Sequence, residues 1–388
     1  MKIFTKENVS EINEKYNMGH PISRYDNLWF QNNHGLRKSG IKYFLNNEEL
    51  IEYAKCYNGV EYFIEKYCKI FIPGIGMSDV VLRGYQKEAI KHYKDNRFSI
   101  FLKSRQMGIQ TILGLMFLHE ILFNEDKHIL ISSYKTLECK EIFKIIKNAY
   151  MALPFFLKVG VFNWNEKYIS LENKSHISCV GGAKEIAFGC SYDIISLNDF
   201  SRFHNAEHIY NSVVPIISNK KDSKIVINSG PNGLNFFHEL VRDSERPDLD
   251  PKKNMFSTMR IHWWQFPGRL DTKLIFTDDK RYPIEHVLKY LEDQGLEFYE
   301  RKTKDETVFF IKYDHKNPKT DISSIRQIKI FDFYLTDIAN ITNWREETIK
   351  ILGSEILFLR EYDMMFICNE LEYKNIKRTE IIDKILGE

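Results

Sequence analysis

The sequence predicts an α/β fold: a mainly parallel sheet of the P-loop NTPase type flanked by helices, with a small α+β subdomain towards the C-terminal part. Three observations predict it. Between Leu82 and Leu240 short apolar runs alternate with amphipathic helical patterns, as a parallel sheet with crossover helices requires. One such unit runs from Phe98 through Lys103, then Ser104-Arg105-Gln106-Met107-Gly108, then the apolar stretch Ile112 to Leu122. This strand–loop–helix order is what a phosphate cradle needs, because backbone N–H groups and a helix N-terminus attract anions. Beyond residue 270 a helical pattern lies beside two β-like runs.

Taken in order, residues 1–80 are charged and rich in Asn and Tyr, with helical patches such as Asn47 to Lys66, and read as a mainly helical N-terminal segment. Pro73-Gly74-Ile75-Gly76 breaks the chain before the next unit. Residues 81–268 form the expected core. Its strands are Ser99–Leu102, His128–Ser132, Tyr168–Leu171, His176–Val180, Ile194–Leu197 and Lys224–Asn228. Its helices are Tyr85–Tyr93, Ile112–Phe123, Thr136–Ala152, Ala206–Ile217 and Phe236–Asp243. Residues 269–335 read as a small inserted subdomain, with a helix at Ile284–Gln294 and β-like runs at Glu297–Arg301 and Thr307–Tyr313. Residues 336–388 read as a helical closing segment, centred on Trp344 to Tyr362.

Composition narrows the class. The apolar fraction of 43% supports a sizeable core in a chain of 388 residues. With 55 basic and 53 acidic residues the net charge is only +2, so any nucleic-acid contact rests on local patches. Cys56, Cys68, Cys139, Cys179, Cys190 and Cys368 lie far apart, which argues for reduced thiols rather than a disulfide frame or zinc ribbon. The N-terminus lacks a signal-peptide core and no apolar run has the length of a membrane span. These features predict a soluble protein in an intracellular compartment.

The loop departs from the usual GxxxxGK[ST] pattern. Where that pattern has Lys and Ser/Thr, this chain has Ile109 and Gln110. Ile109 can contact neither phosphate nor metal, and an amide is a poorer magnesium ligand than a hydroxyl. Thr111 stands one residue late.

Five segments in one order resemble the ATPase half of the large terminase subunit of tailed bacteriophages. Leu82-Arg83-Gly84-Tyr85-Gln86-Lys87 is similar to its adenine-binding segment, and Lys103-Ser104-Arg105-Gln106-Met107-Gly108 to the core of its P-loop. Leu153-Pro154-Phe155-Phe156-Leu157, with Trp164-Asn165 and Ile169 to Ser175, resembles the stretch between its two Walker motifs. Asn228-Ser229-Gly230-Pro231-Asn232-Gly233 sits where that family carries its coupling motif. Trp344-Arg345, Ile351 to Glu355 and Glu361-Tyr362-Asp363 resemble the segment that closes the domain. Together they span about residues 80 to 368.

The resemblance implies ATP and Mg²⁺ as cofactors and assigns roles. Tyr85 and Gln86 would hold the adenine. Lys103, Ser104, Arg105, Gln106, Gly108, Gln110 and Thr111 would surround the phosphates. Lys103 would supply the ammonium from the first loop position instead of the seventh, and Arg105 would act as an arginine finger in cis. Asn198 and Asp199 stand where the family has Asp-Glu, so Asn198 would serve the metal and Asp199 would activate water, with Thr111 as a further metal ligand. Asn228 and Ser229 would sense the γ-phosphate. The implied partners are double-stranded DNA, a portal protein, a small terminase subunit and a separately encoded nuclease. The subunit would work as a homo-oligomeric ring in the host cytoplasm, without membrane contact. Only about twenty residues follow Phe366, so no nuclease domain is expected in this chain. Two readings stay open: a motor that couples ATP hydrolysis to DNA movement, and a pseudo-ATPase kept as a binding or structural module. A superfamily-2-type helicase fragment lacks its second motor domain here.

Other chemistry-bearing residues have plainer readings. His204 and His208, near Glu207, have metal-like spacing on a helix but no third ligand in sequence, and Ser201 with His204 lacks a nucleophile-elbow motif. The basic run Asn219 to Lys224 reads as a solvated turn, and Trp263-Trp264 as packing rather than base stacking.

Overall fold

The computed structural model describes residues 28–181, 191–218, 221–276, 284–302, 307–330 and 332–367. The chain forms two compact units, Met1–Ile261 and His262–Glu388.

In the first unit two helices, α1 (Asn47–Asn58) and α2 (Val60–Tyr67), precede a hairpin of β1 (Lys69–Ile72) and β2 (Gly76–Asp79). Asn46 caps α1 through a reciprocal capping box with Glu49. Residues 28–80 do not stand apart as the sequence suggested. Tyr53 and Phe63 pack their rings on Phe123, 5.2 and 5.4 Å between centroids, and so join the core. Part of the segment is also strand rather than helix, because the Ile72–Gly76 turn lets the flanking residues pair.

The core follows as α3 (Gly84–Asp95), β3 (Phe98–Lys103), α4 (Ile109–Phe123), β4 (His128–Ser133), α5 (Thr136–Ala152), β5 (Val161–Trp164), β6 (Tyr168–Leu171), β7 (His176–Gly181), β8 (Ile194–Asn198), α6 (Ala206–Ser218), β9 (Lys224–Ser229), α7 (Phe236–Ser244) and β10 (Ser257–Ile261). The strands make one eight-stranded sheet in the order β10-β3-β9-β8-β4-β7-β6-β5. Strands β10 to β7 are parallel, and β6 and β5 add antiparallel to that edge.

The crossovers β3–α4–β4 and β4–α5–β7 move one way along the sheet, while β8–α6–β9 and β9–α7–β10 move the other way. Right-handed crossovers therefore place α4 and α5 on one face and α6 and α7 on the opposite face. Helix α4 is buried almost all round, from Ile109 to Phe123, which explains its lack of a polar face. Five strands run one residue past the end expected of them: β3 to Lys103, β4 to Ser133, β7 to Gly181, β8 to Asn198 and β9 to Ser229. Pairing continues past the apolar run, and β3, β4, β8 and β9 each end on a polar side chain.

The second unit holds a four-stranded antiparallel sheet in the order β12-β13-β11-β16, from β11 (Thr272–Phe276), β12 (Phe298–Lys302), β13 (Thr307–Ile311) and β16 (Ala339–Asn343). Helix α8 (Ile284–Asp293) buries Val287 and Leu291 with Leu274, Phe309 and Ile311 of the sheet. A short helix α9 (Ile322–Arg326), a small hairpin of β14 (Lys329–Ile330) and β15 (Phe333–Tyr334), and one turn of helix, α10 (Leu335–Ile338), lead into β16. The expected boundary at residue 335 falls inside this fold, because β16 pairs with β11 and completes the sheet. Beyond it come α11 (Trp344–Leu352) and α12 (Glu355–Glu361). Trp263 is buried with Trp344, Phe358 and Tyr362, and its indole N–H donates to Asp363 Oδ1 at 2.6 Å. Trp263 thus serves packing, as its sequence context suggested, while Trp264 is exposed and stacks on His262.

Candidate nucleotide site

The C-terminal ends of the parallel strands converge on one edge of the sheet. Lys103 ends β3 at a half-exposed position, and Ser104 is fully buried, its N–H donating to Ile261 O of β10 at 2.9 Å. Arg105 and Gln106 form the exposed apex of the loop, and Gln106 takes a left-handed backbone with φ 59°. Gly108 is the N-cap of α4, also left-handed at φ 73°, and no side chain caps that helix start. A Cβ at residue 108 would lie 2.9 Å from Gln86 Nε2, so both the backbone angle and the space call for glycine. The first N–H groups of α4 have no intrahelical partner, and the helix dipole places partial positive charge at this end. A phosphate fits such a cradle.

Tyr85 and Gln86 are buried beneath the loop. The Tyr85 hydroxyl donates to Met107 O at 3.0 Å and the Gln86 amide donates to the same carbonyl at 3.3 Å. The Gln86 oxygen accepts from Arg83 N at 3.0 Å. In this structure these polar atoms brace the loop. Ile109, at the usual lysine position, is 1% exposed and belongs to the core.

The acidic position lies across from the loop. Asp199 follows β8 in a left-handed conformation, φ 51°, with its N–H donating to Asn228 O at 2.7 Å. Gln110 Nε2 donates to Asp199 Oδ2 at 3.2 Å, which joins the first turn of α4 to the end of β8. Asn198 is 1% exposed and committed elsewhere. Its amide donates to Ser196 Oγ at 3.0 Å and Ser132 O at 3.4 Å, and its oxygen accepts from Asn228 Nδ2 at 3.4 Å.

Ser133, Asn198 and Asn228 are register partners on neighbouring strands, a neutral row along the sheet edge. Among the described residues, Ser132 Oγ, Ser133 Oγ and Asn228 Oδ1 are buried without a hydrogen-bond partner. Ser132 and Ser133 were missed in the sequence, where the only signal was a Ser-Ser pair ending an apolar strand. Ser229 Oγ accepts from Ser201 N at 3.1 Å and donates to Ser201 Oγ at 2.9 Å. Ser201, which carries no nucleophile motif in sequence, is thus a structural partner of the expected phosphate sensor.

The three residues expected at a metal differ in what they offer. Thr111 is half-exposed at the third position of α4, Asn198 is neutral and buried in its own bonds, and Asp199 alone brings a carboxylate. Among the described residues no group of three His, Cys, Asp or Glu side chains could hold a metal ion, and His204 and His208 are simply exposed. Lys224, of the basic run, caps the end of α3 by donating to Tyr93 O, Lys94 O and Asn96 O. No helix among the described residues is long and apolar enough to cross a membrane.

A parallel sheet with a glycine-capped loop at its carboxyl edge, and an acid facing that loop, defines a P-loop-type α/β protein. Residues 100–319 match the family described as terminase large subunit, T4likevirus-type, N-terminal, and the chain belongs to that family. Among solved structures it is similar to the HK97 bacteriophage large terminase, at 15% identity and a TM-score of 0.42 over 48% of this chain and 41% of that one. It is also similar to the large terminase ATPase domain of Thermus phage P74-26, at 13% identity and a TM-score of 0.45 over 74% of this chain and 94% of that one. A third is the large terminase of a thermophilic bacteriophage in complex with ATP-gamma-S, at 11% identity and a TM-score of 0.34 over 54% and 49%. The chain thus spans less than half the length of the HK97 protein it matches.

Proposed function

We propose that the first unit binds and hydrolyses ATP and that the chain is the ATPase part of a motor that moves double-stranded DNA into a phage prohead. The observation that carries this reading is the open, glycine-capped start of α4, tied by Gln110 to the carboxylate of Asp199. The cradle N–H groups from Gly108 to Thr111 bind the phosphates, with Lys103 and Arg105 as the charges of the loop. Asp199 takes the proton of the attacking water, and Gln110 holds its second oxygen in place. Asn228 and Ser229 sit at the strand end that senses the γ-phosphate. Tyr85 and Gln86 keep the loop in register through Met107 O. Magnesium, when bound with the nucleotide, neutralises phosphate charge. Of the expected ligand trio only Asp199 suits it, so the catalytic work is assigned to the chain's own groups. DNA would be held through its backbone, with a portal protein, a small terminase subunit and a separate nuclease as partners, in a ring of copies in the host cytoplasm.

The second reading, a pseudo-ATPase retained as a binding module, is favoured by two residues: Ile109, buried where a lysine is usual, and Asn198, neutral where a carboxylate is usual. Phosphate release from ATP, with and without DNA, decides between them. Turnover abolished by Lys103→Ala supports the motor. No turnover in the wild-type chain under either condition removes it.

A further inference from the structure

Asp199 has no regular element after it to hold its position. It leaves β8 in a left-handed turn and is followed by one short turn of 3₁₀ helix, Phe200–Arg202. Strand register stops at Asn198; beyond it the Asp199 N–H still donates to Asn228 O at 2.7 Å, and the position of the carboxylate depends further on how the segment after it is held. The bonds around Ser201 hold that segment. Its carbonyl accepts from Asn235 Nδ2 at 2.8 Å and from Asn232 Nδ2 at 3.2 Å. Its N–H and hydroxyl both meet Ser229 Oγ.

Asn235 is at the same time the N-cap of α7, its Oδ1 accepting from His238 N at 3.3 Å. The oxygen of this amide therefore serves α7 and its nitrogen the segment after Asp199, with a further bond from the nitrogen to Asn232 O at 3.2 Å. Hydrophobic contact follows the same line. Phe200 is fully buried, and its ring lies 6.4 and 6.3 Å from the rings of Phe236 and Phe237 in the first turn of α7.

We infer that Asn235 is a positioning residue, which ties the start of α7 to Ser201 and thereby sets where the Asp199 carboxylate stands opposite Gln110. The path is short: Gln110 of α4, Asp199, Ser201, Asn235 of α7. Any shift of α4 that pulls on Gln110 reaches α7 through the Asp199 side chain, the backbone from Asp199 to Ser201 and the Asn235 amide, and a shift of α7 reaches the acid by the same route. The consequence for turnover rests on the proposed ATPase reading, whereas the positioning itself does not.

The two uses of Asn235 can be separated by substitution. Asn235→Asp and Asn235→Ser both keep a good N-cap oxygen. Both lose the amide donor to Ser201, and the serine does so without adding charge. Hydrogen exchange of the full chain, wild type against both variants, is the first measurement. The expected result is exchange at least about tenfold faster over residues 199–203, with α7 as protected as in the wild type, since a lost bond of about 1.4 kcal/mol is a tenfold change in the opening equilibrium. Unchanged exchange over 199–203 in both variants overturns the inference.

Steady-state ATP turnover is the second measurement. The expected result is kcat reduced at least tenfold in both variants with KM for ATP within twofold, as displacement of a base requires. A wild-type chain that turns over, with both variants at the same kcat, overturns the positioning of Asp199. A wild-type chain without turnover removes the ATPase reading, and the exchange result then decides the inference by itself.

Discussion

Gln110 and Asp199, 89 residues apart in sequence, meet at 3.2 Å, the amide donating to the carboxylate across the carboxyl edge of the sheet. Both are half-exposed, so the bond costs little to assemble and is open to a ligand. It changes the meaning of Gln110. In place of a hydroxyl for a metal, this chain has an amide that reaches the acid directly.

Removing that amide should act on turnover rather than on folding. A hydrogen bond to a charged group contributes about 1.5–3 kcal/mol, which is about ten- to a hundredfold in rate. Gln110→Ala is expected to lower kcat by about that factor, with a melting temperature within a few degrees of wild type. Gln110→Glu, which sets a second carboxylate against Asp199, is expected to lower it further. Phosphate-release kinetics on the three proteins check this, and equal kcat values would show that Asp199 needs no such donor.

The loop itself is set by sterics. Gly108→Ala forces a Cβ onto a residue at φ 73° and brings it 2.9 Å from Gln86 Nε2. The left-handed backbone alone costs about 1–2 kcal/mol. Gln86→Ala removes the obstructing amide but also its bond to Met107 O. The double variant is therefore expected to lose less stability than the sum of the two single variants, because contacting residues are not additive. Thermal melts of the four proteins give the coupling, and strict additivity would mean that Gln86 yields freely.

Stability should fall with acid through two partly buried histidines. His119 is packed against Phe63 and Phe123, and its Nε2 lies 2.8 Å from Cys56 O, so it donates there as the neutral ring. Burial pushes its pKa down to about 4, and burial followed by the neighbouring His128 ring pushes His176 to about 4. The unfolded chain binds these protons near pH 6.5, before the folded one does. The contribution is thus fully present above about pH 6.5 and is lost as pH falls towards 4. For the partly buried His119 it amounts to about 3 kcal/mol at most. Urea unfolding at pH 7 and pH 5 should show a lower midpoint at pH 5. His119→Gln, which keeps a donor but does not titrate, should shrink the difference, and an unaltered difference would clear His119 of the effect.

Much of this fold could be read from the chain, and the residues show why. Tyr168–Leu171 and Thr136–Ala152 carry such regular patterns that both ends of each element were legible. The strand ends at Ser133, Asn198 and Ser229 lie one residue beyond those expected, since pairing with neighbouring strands, which no local pattern marks, carries each ladder on. Those same residues build the site. Ala339–Asn343 was read into a helical segment because Asn340 and Asn343 break its apolar run, and only its pairing with β11 makes it a strand.

The site was legible as residue types and not as bonds. Lys103, Gly108, Asp199 and Asn228 stand on one edge because the sheet order puts β3, β9 and β8 side by side. Nothing local in sequence sets that order. Nor does sequence tell that Tyr85 and Gln86 would turn inward to Met107, or that Asn235 would serve both a helix and a turn.

The neutral row offers the sharpest test of how the site is built. Asn198 is buried between Ser196, the Ser132 carbonyl and Asn228. Asn198→Asp keeps its size and restores the residue that the family resemblance leads one to expect there. Ionised, it would turn an oxygen towards Ser132 O and Ser196 Oγ in place of the amide donor, in a site that excludes water. Desolvation would then raise its pKa above the usual value near 4. A carboxyl whose folded pKa is raised stabilises below its unfolded pKa and destabilises progressively as pH climbs to the folded value. The variant should therefore match wild type closely near pH 4, where the protonated acid can still donate. It should fall behind as pH rises, by about 1–3 kcal/mol near pH 8, the cost of leaving a buried polar group poorly paired. Melting temperatures of the two proteins from pH 4 to pH 8 measure it. A deficit constant across that range would mean that the row takes up a charge without difficulty, and that asparagine is not required there by burial.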